Sequence, residues 1–532
     1  MKGVSAASVC LALLSAVAGA TEMSRADYED RVRAAWLGQI VGALVAFPHE
    51  HAVASAVRLD RYPKAYAWAP VDDDWYYEMV AVRAFERYGA DLTVAELGRQ
   101  WRENAAGSWG SSRAARLAME RGVVPPATGH PSENPLWWTI GPQFSADVYG
   151  LVAPGMPNLA GKLARELGAI NGYAEGLDGA VFVSGMVSLA FVETDAAAVV
   201  RKAAGLIHPE SPYRQCLDLV IDLAGKGRGM REIANAVEDR WHLEYPGTNN
   251  AVPNGCLAAA GVWLGKSDVM ETVNLLAAAA DFTDADCNAA NAAAVAAVIS
   301  GTRGLPAPLV SALGDRIRGE EMGGVRLAPP VDERISELAA RTAKVGYAMI
   351  EARGAADGVR LTPTALSIRP EPVATQPLQR FTLADLGRLW NRDWTLERAG
   401  FGGGHGGIGG IRGMTHLRGD VLATYPRDEV RGLLFRRQAR LGAGAALRIE
   451  VGVDPGRAFD LEIYADNERL RGERIEFGAE APGLAFTAIE QDLGRFTGKA
   501  VTLRVYQRVL LPDRVSGNAY WKTLEVTGSE SE

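Results

Sequence analysis

Residues 281–301 read "DFTDADCNAANAAAVAAVISG". Asp281, Asp284 and Asp286 head the stretch, Cys287 follows, and the rest is almost entirely Ala, Asn and Val. Alanine has the highest helix propensity, and side chains this small give a helix no bulk on any face. The segment therefore reads as a helix packed deep against other helices, and the fold around it as a helical one. The carboxylates at its head admit two readings. An aspartate opening a helix accepts unpaired amide hydrogens and suits the positive end of the dipole. Aspartates at alternate positions of a tight turn can instead aim their oxygens at one hard cation, which takes several oxygen ligands. Spacing alone does not separate the two, and Asp281 reads equally well as a surface residue of the same turn.

A second acidic stretch lies far upstream, "APVDDDWYYEM" (69–79), again just before a helical pattern. One aspartate suffices to cap a helix, whereas Asp72, Asp73 and Asp74 in a row repel one another unless solvent or a cation relieves them. Two such clusters in one helical region raise the case for a metal site. Zinc is a poor fit: no His-x-x-x-His or Cys-x-x-Cys pair accompanies them, and His49 and His51 lack a ligand at diagnostic spacing. An oxygen-rich ligand set points to magnesium, with manganese as the alternative.

Helical spacing of apolar residues extends from Arg25 to about Ala352, as in "YEDRVRAAWLGQIVGALVAF" (28–47) and "ERISELAARTAKVGYAMIEA" (333–352). Alternating strands are not evident there, so an all-α domain is expected over 23–355. "DGVRLTPTALSIRPEPVATQPLQ" (357–379) carries four prolines, which forbid a continuous helix, and 356–383 reads as a linker or extended wrap. Period-two patterns follow: in "VTLRVY" (501–506), Val501, Leu503 and Val505 share one face. Residues 384–530 thus read as an all-β sandwich of jelly-roll or galactose-binding-like type. The glycine run "GFGGGHGGIGGIRG" (400–413) lacks the strand–loop–helix context of a phosphate loop and reads as a permissive surface or interdomain loop.

The N-terminus reads as an export signal over 1–20: Lys2, a short apolar core, then Ala18-Gly19-Ala20, the small-residue pattern of a cleavage site. A secreted or periplasmic protein is expected, beginning near Thr21. Cys216, Cys256 and Cys287 would remain, too few for a disulfide framework. Hydrophobic residues make up 48% of the 532, charged ones 23%, and the formal charge is -8. That balance fits a globular protein and argues against a nucleic-acid binder, which needs a basic face. No interior apolar run reaches the length of a membrane span.

Taken in order, the motifs resemble those of the ADP-ribosylglycohydrolase family, the group that includes dinitrogenase reductase-activating glycohydrolase. "WLGQIVGALVAFPHEH" (36–51) resembles its opening helix of glycines and the Pro-x-Glu turn, through Gly38, Gly42, Pro48 and Glu50, with Ala43 where an aspartate is usual. "VDDDWYYEM" resembles the family's Ser/Thr-Asp-Asp-Thr motif, with Val71 and Asp74 in the hydroxyl positions. Residues 147–186 and 251–265 resemble central segments of bacterial members, Asn171-Gly172 standing where Thr-His is frequent. "DADC" (284–287) resembles the Asp-Thr-Asp-Thr signature, with Cys287 in place of threonine.

The resemblance implies two magnesium ions in a cleft of an all-α fold, held by Asp72, Asp73, Asp284 and Asp286, with Cys287 at a hydroxyl ligand's position. It implies a hydrolase that cleaves an O- or N-glycosidic bond at the anomeric carbon of a ribose-like or other sugar. Glu50, Asp73 and Asp286 form the expected catalytic set, Glu50 by proton transfer and the aspartates through metal. Trp75, Trp138, Tyr149 and Asn171 are the expected substrate contacts, with Trp109 and Trp137 as further candidates for stacking, although the aromatic ones read equally well as core residues. "GKAVTLRVYQRVLLPDRVSGNAYWKTLEV" (498–526) resembles the last strands of galactose-binding-like modules, which accompany carbohydrate enzymes. The expected partner is a small-molecule or glycan substrate. ADP-ribosyl conjugate hydrolysis is the narrower alternative. The departures at Ala43, Val71, Gly172 and Cys287 also fit a sugar-binding protein without turnover.

Overall fold

Two helices meet backbone to backbone at the centre of the helical domain. The opening helix, Arg25–Ala46, crosses the small-residue helix, Ala285–Ser300. A Cβ at Gly38 would lie 2.7 Å from Cβ of Ala297, and one at Gly42 would lie 2.6 Å from the carbonyl oxygen of Ala289. Only hydrogen fits at either place, which answers why the 281–301 stretch is so small in side chain. Residues Ala285 to Val298 are buried without exception. Further helices surround the pair, among them Glu175–Ala190, buried along its whole length, and Ala251–Gly265.

This computed structural model describes residues 20–530 apart from 242–247, 280, 282, 370, 400–414, 427–429, 481–482 and 510–516. The export signal up to residue 19 and the glycine run lie outside the described residues. Among the described residues no helix is long and apolar enough to cross a membrane, and Cys216, Cys256 and Cys287 are buried free thiols.

The helical domain is not purely α, contrary to the sequence expectation. Arg316–Met322 and Val325–Arg334 form an antiparallel hairpin, turning at Gly323-Gly324 with φ of +56° and +75°. Successive positive φ values at a Gly-Gly pair are what a tight hairpin turn requires. The strands escape notice because only Ile317, Met322, Leu327 and Val331 are buried in them, and Pro329-Pro330 interrupts the second. The small sheet that ties the ends of the domain together is also β. Thr21–Ser24 pairs with Ala365–Ile368, which pairs with Val359–Leu361.

The proline-rich span beyond Ile368 runs along the helical surface. The Asn158 amide donates to the Pro372 carbonyl at 3.0 Å, Gln376 N donates to the Leu206 carbonyl at 2.7 Å, and Ala174 N donates to Gln379 Oε1 at 2.9 Å. It leads into an all-β module organised by one long strand, Leu433–Val453. The first half of that strand pairs with Ala500–Arg508, and its second half pairs with Thr487–Asp492 and Ala519–Glu530. A single strand thereby serves both layers of a sandwich. Phe435 meets Trp521 edge to face at 4.8 Å inside it.

Candidate metal centre and active site

The two acidic stretches converge. Asp73–Tyr88 and Ala285–Ser300 both begin at the same place, bringing Asp72, Asp73 and Asp74 up to Asp284, Asp286 and Cys287. Asp72 is a genuine helix cap, its Oδ1 accepting from Asp74 N at 3.4 Å. Asp284 occupies the cap position of the second helix yet makes no side-chain capping bond. Capping therefore does not account for it.

Direct contact joins the stretches at Asp74, whose carboxyl lies beside the Cys287 thiol. The turn after the opening helix adds Glu50 and His51. His51 Nδ1 is 3.8 Å from Glu50 Oε1, and its Nε2 is 3.6 Å from Asp284 Oδ2. His51 holds φ of +50°, and its amide donates to the Thr283 carbonyl at 2.8 Å, which clamps the turn over the second cluster. Asn249 donates to Asp284 Oδ2, and Asn254 Oδ1 accepts from both Asp284 N at 3.0 Å and Asn288 at 2.8 Å.

So many carboxyls in one pocket disturb each other. Burial pushes Asp73 and Asp74 well above the usual carboxylate range, and neighbouring aspartate charges add to it. Asp286 is raised in the same way by burial and by Asp284, Asp74, Glu50 and Asp72. Asp72 is raised by burial despite backbone hydrogen bonds. Asp284 is the exception: burial works upward, but His51, Cys287 and Asp286 beside it bring it below its ordinary value. Glu50 is pushed up to about 7 by burial and by Asp284, with His51 pulling the other way.

Both Asp74 oxygens, Asp284 Oδ1, Asp286 Oδ1 and Thr283 Oγ1 are buried without a hydrogen-bond partner. Buried carboxylate oxygens are ordinarily satisfied. Ligand atoms of Glu50, His51 and Asp284 lie within 4.8 Å of one another, as do those of Asp284, Asp286 and Cys287. Orphaned, convergent, chiefly oxygen donors are the chemistry a hard divalent cation takes, so the residues present fit one.

The ADP-ribosylglycohydrolase family profile matches residues 24–347, more than half of the chain. The chain belongs to the ADP-ribosylglycohydrolase family. A solved structure described as an ADP-ribosylglycohydrolase-related protein complex aligns at 16% identity with a TM-score of 0.41, covering 61% of this chain and 99% of that one. A second, described as "CBM4 structure and function", aligns at 14% identity with a TM-score of 0.19, covering 27% of this chain and 91% of that one. No curated protein matches the chain.

Within the family frame, the motif departures at Asp74 and Cys287 turn out to be neighbours, a carboxyl facing a thiol. Val71, the third departure, packs toward Gly319 of the hairpin, whose Cβ would lie 2.8 Å from its methyl. The structure does not bring the four expected substrate contacts to a surface. Trp75 is fully buried, and Trp138 and Tyr149 are 3% and 5% exposed, Tyr149 packing on Phe85. Asn171 is buried and donates to Ser112 Oγ at 2.9 Å. The aromatic residues that are open lie elsewhere. Phe47 is 47% exposed three residues before Glu50, Trp109 is 47% exposed against the hairpin turn at Gly323, and Trp68 is 42% exposed under Arg318. Tyr66, two residues before Trp68, is close enough to Asp72 for that charge to raise its hydroxyl, after burial. The sequence offered His51 only as a zinc ligand without partners, and gave no sign of Asn249 or Asn254. The signal for His51 was its place as the immediate neighbour of Glu50.

Proposed function

We propose that the chain is a secreted, divalent-metal-dependent hydrolase that cleaves a glycosidic bond at the anomeric carbon of a ribose-like or other sugar. The observation that carries this reading is the meeting of two acidic helix ends at Asp74 and Cys287, with orphaned oxygens on Asp74, Asp284 and Asp286, within a family of glycosyl-bond hydrolases. Asp72, Asp73, Asp74, Asp284 and Asp286 would hold the metal, magnesium or manganese, with Cys287 at the edge of the set. When bound, such a cation orients sugar hydroxyls and lowers the pKa of a coordinated water.

Glu50 is the proton-transfer group of this reading. Its carboxyl, pushed up to about 7 by burial and by Asp284, is placed to give a proton to a leaving group or take one from water. His51 stands between Glu50 and Asp284, 3.8 Å from the one and 3.6 Å from the other. Carboxylates crowded on this face also favour the positive charge that builds on the sugar as the bond breaks. Trp109, a stacking candidate from sequence that is exposed, and with it Phe47 and Trp68, are proposed to stack on sugar or aglycone. Tyr464 and Tyr506, edge to face at 5.7 Å with Arg504 and Arg508 over their rings, are the proposed glycan contacts of the appended module. Export rests on the N-terminal pattern of Lys2, a short apolar core and Ala18-Gly19-Ala20.

The test is magnesium titration calorimetry together with a screen of furanosides, nucleosides and ADP-ribosyl conjugates. Substitution Asp286→Ala is expected to abolish metal binding and turnover together. Turnover by protein shown to hold no metal would remove the proposal. Ligand binding without product, with metal present, would favour the sugar-binding protein, and turnover confined to ADP-ribosyl conjugates would favour the narrower alternative.

A further inference from the structure

One helical turn beneath the acidic cluster lies a second polar layer that the proposed chemistry does not use. Glu78 follows Asp74 by four residues and Asn291 follows Cys287 by four, so each stands directly below a member of the cluster on the same helix. Gln39 of the opening helix and Asp147 of the short helix Asp147–Leu151 complete the layer. All four are at most 1% exposed. Gln39 Nε2 donates to the Asp74 carbonyl at 3.0 Å, to Glu78 Oε1 at 2.8 Å and to Asp147 Oδ2 at 3.2 Å. Asn291 Nδ2 donates to the same Asp147 Oδ2 at 2.7 Å and to the Phe144 carbonyl at 3.0 Å.

Both carboxyls therefore accept from the one Gln39 amide in the core, and among the described residues neither pairs with a basic side chain. Two bare charges so placed would be prohibitively costly. One oxygen of each, Glu78 Oε2 and Asp147 Oδ1, has no partner. A single proton between the carboxyls supplies the missing hydrogen bond. Asp147 receives both amide donors and so is the ionised member, while Glu78, served by Gln39 alone, is the acid.

We propose that Glu78 and Asp147 share one proton, and that this pair, with Gln39 and Asn291, sets the rotation of the two acidic helices so that the carboxylates above converge. These are positioning residues, since none reaches the cleft. The positioning half of the inference rests on reading the cluster as a cation site.

Glu78→Gln keeps the shape and the donor of the protonated acid, whereas Glu78→Met keeps only bulk. The infrared difference spectrum of wild type against E78Q is expected to show one lost carboxylic-acid C=O band. Magnesium affinity is expected to stay within about threefold in E78Q and to fall about 10–100-fold in Glu78→Met, the range for partners that orient metal ligands. Should Glu78→Met fail to fold by circular dichroism, Asn291→Ala, which removes one donor to Asp147, is expected to show the same loss of affinity. An unchanged acid band overturns the shared proton. E78Q as damaging as Glu78→Met, or Asn291→Ala with undiminished affinity, overturns the positioning role. Wild-type protein that binds no magnesium would sink the cation reading instead, with the infrared result still standing on its own.

Discussion

At the residue scale, Glu50 and the aspartates make separable predictions. Glu50→Gln keeps the turn and removes the transferable proton, so turnover is expected to drop by about 10²–10⁴-fold with magnesium binding retained by calorimetry. Asp73, Asp74 and Asp286 have folded-state pKa values raised above those of an unfolded chain. Their contribution to stability is therefore full at acid pH, below the unfolded value, and is lost as pH rises through the folded one. Magnesium offsets that loss, so its effect on melting temperature should be larger at pH 8 than at pH 5.5; equal shifts would contradict the assignment. Cys287→Thr replaces a thiol with an oxygen donor suited to a hard cation, and tighter magnesium binding is the expected titration result. The aspartates were legible because three consecutive carboxylates exceed what capping needs and because both clusters fall on the family's motifs, spacing alone having left Asp284 and Asp286 open. Asn249, Asn254 and the Gln39–Asp147 layer were not, because a buried amide or carboxyl in a helix leaves no local pattern until its distant partner is known.

Among elements, the crossing of Arg25–Ala46 over Ala285–Ser300 is the contact on which the site depends. Gly42→Ala places a methyl 2.6 Å from a backbone oxygen that belongs to a helix and cannot swing aside. A loss of about 1–3 kcal/mol is expected from such overpacking, read by denaturant titration. Magnesium affinity should weaken with it, since the same helix carries Asp284 and Asp286. This packing was readable from composition alone, as only close helix contact explains so long a run of small residues. The hairpin 316–334 was not: charged, proline-interrupted strands with four buried side chains resemble a surface loop until the Gly323-Gly324 turn is seen to pair them. It nevertheless shapes the site by carrying Gly319 against Val71 and Gly323 against Trp109.

For the whole molecule, helical domain and sandwich are joined through a shared apolar cluster as well as by the chain. Trp137, Trp138 and Ala174 belong to the same buried group as Phe381, Leu386 and Trp394. Phe381 meets Trp137 at 5.4 Å and Tyr173 at 6.2 Å, both edge to face. Phe381→Ala should cost about 3–5 kcal/mol and separate one calorimetric transition into two; a single unshifted transition would show that the domains hold together without it. The division into a helical part and a strand-rich part was visible in the change of periodicity. The joint was hidden because Trp137 and Trp138 look, in sequence, like candidates for stacking on a ligand.

The small sheet that fastens Thr21–Ser24 to Ala365–Ile368 also bears on synthesis. A ribosome releases the amino end first, so that opening edge must wait for the far side of the domain to be translated before it can zip shut. Until then an unpaired edge is open to proteases and to strands of other chains. A nascent chain halted short of residue 365 should therefore be cut near its amino end, whereas one extended a little past the exit tunnel should not.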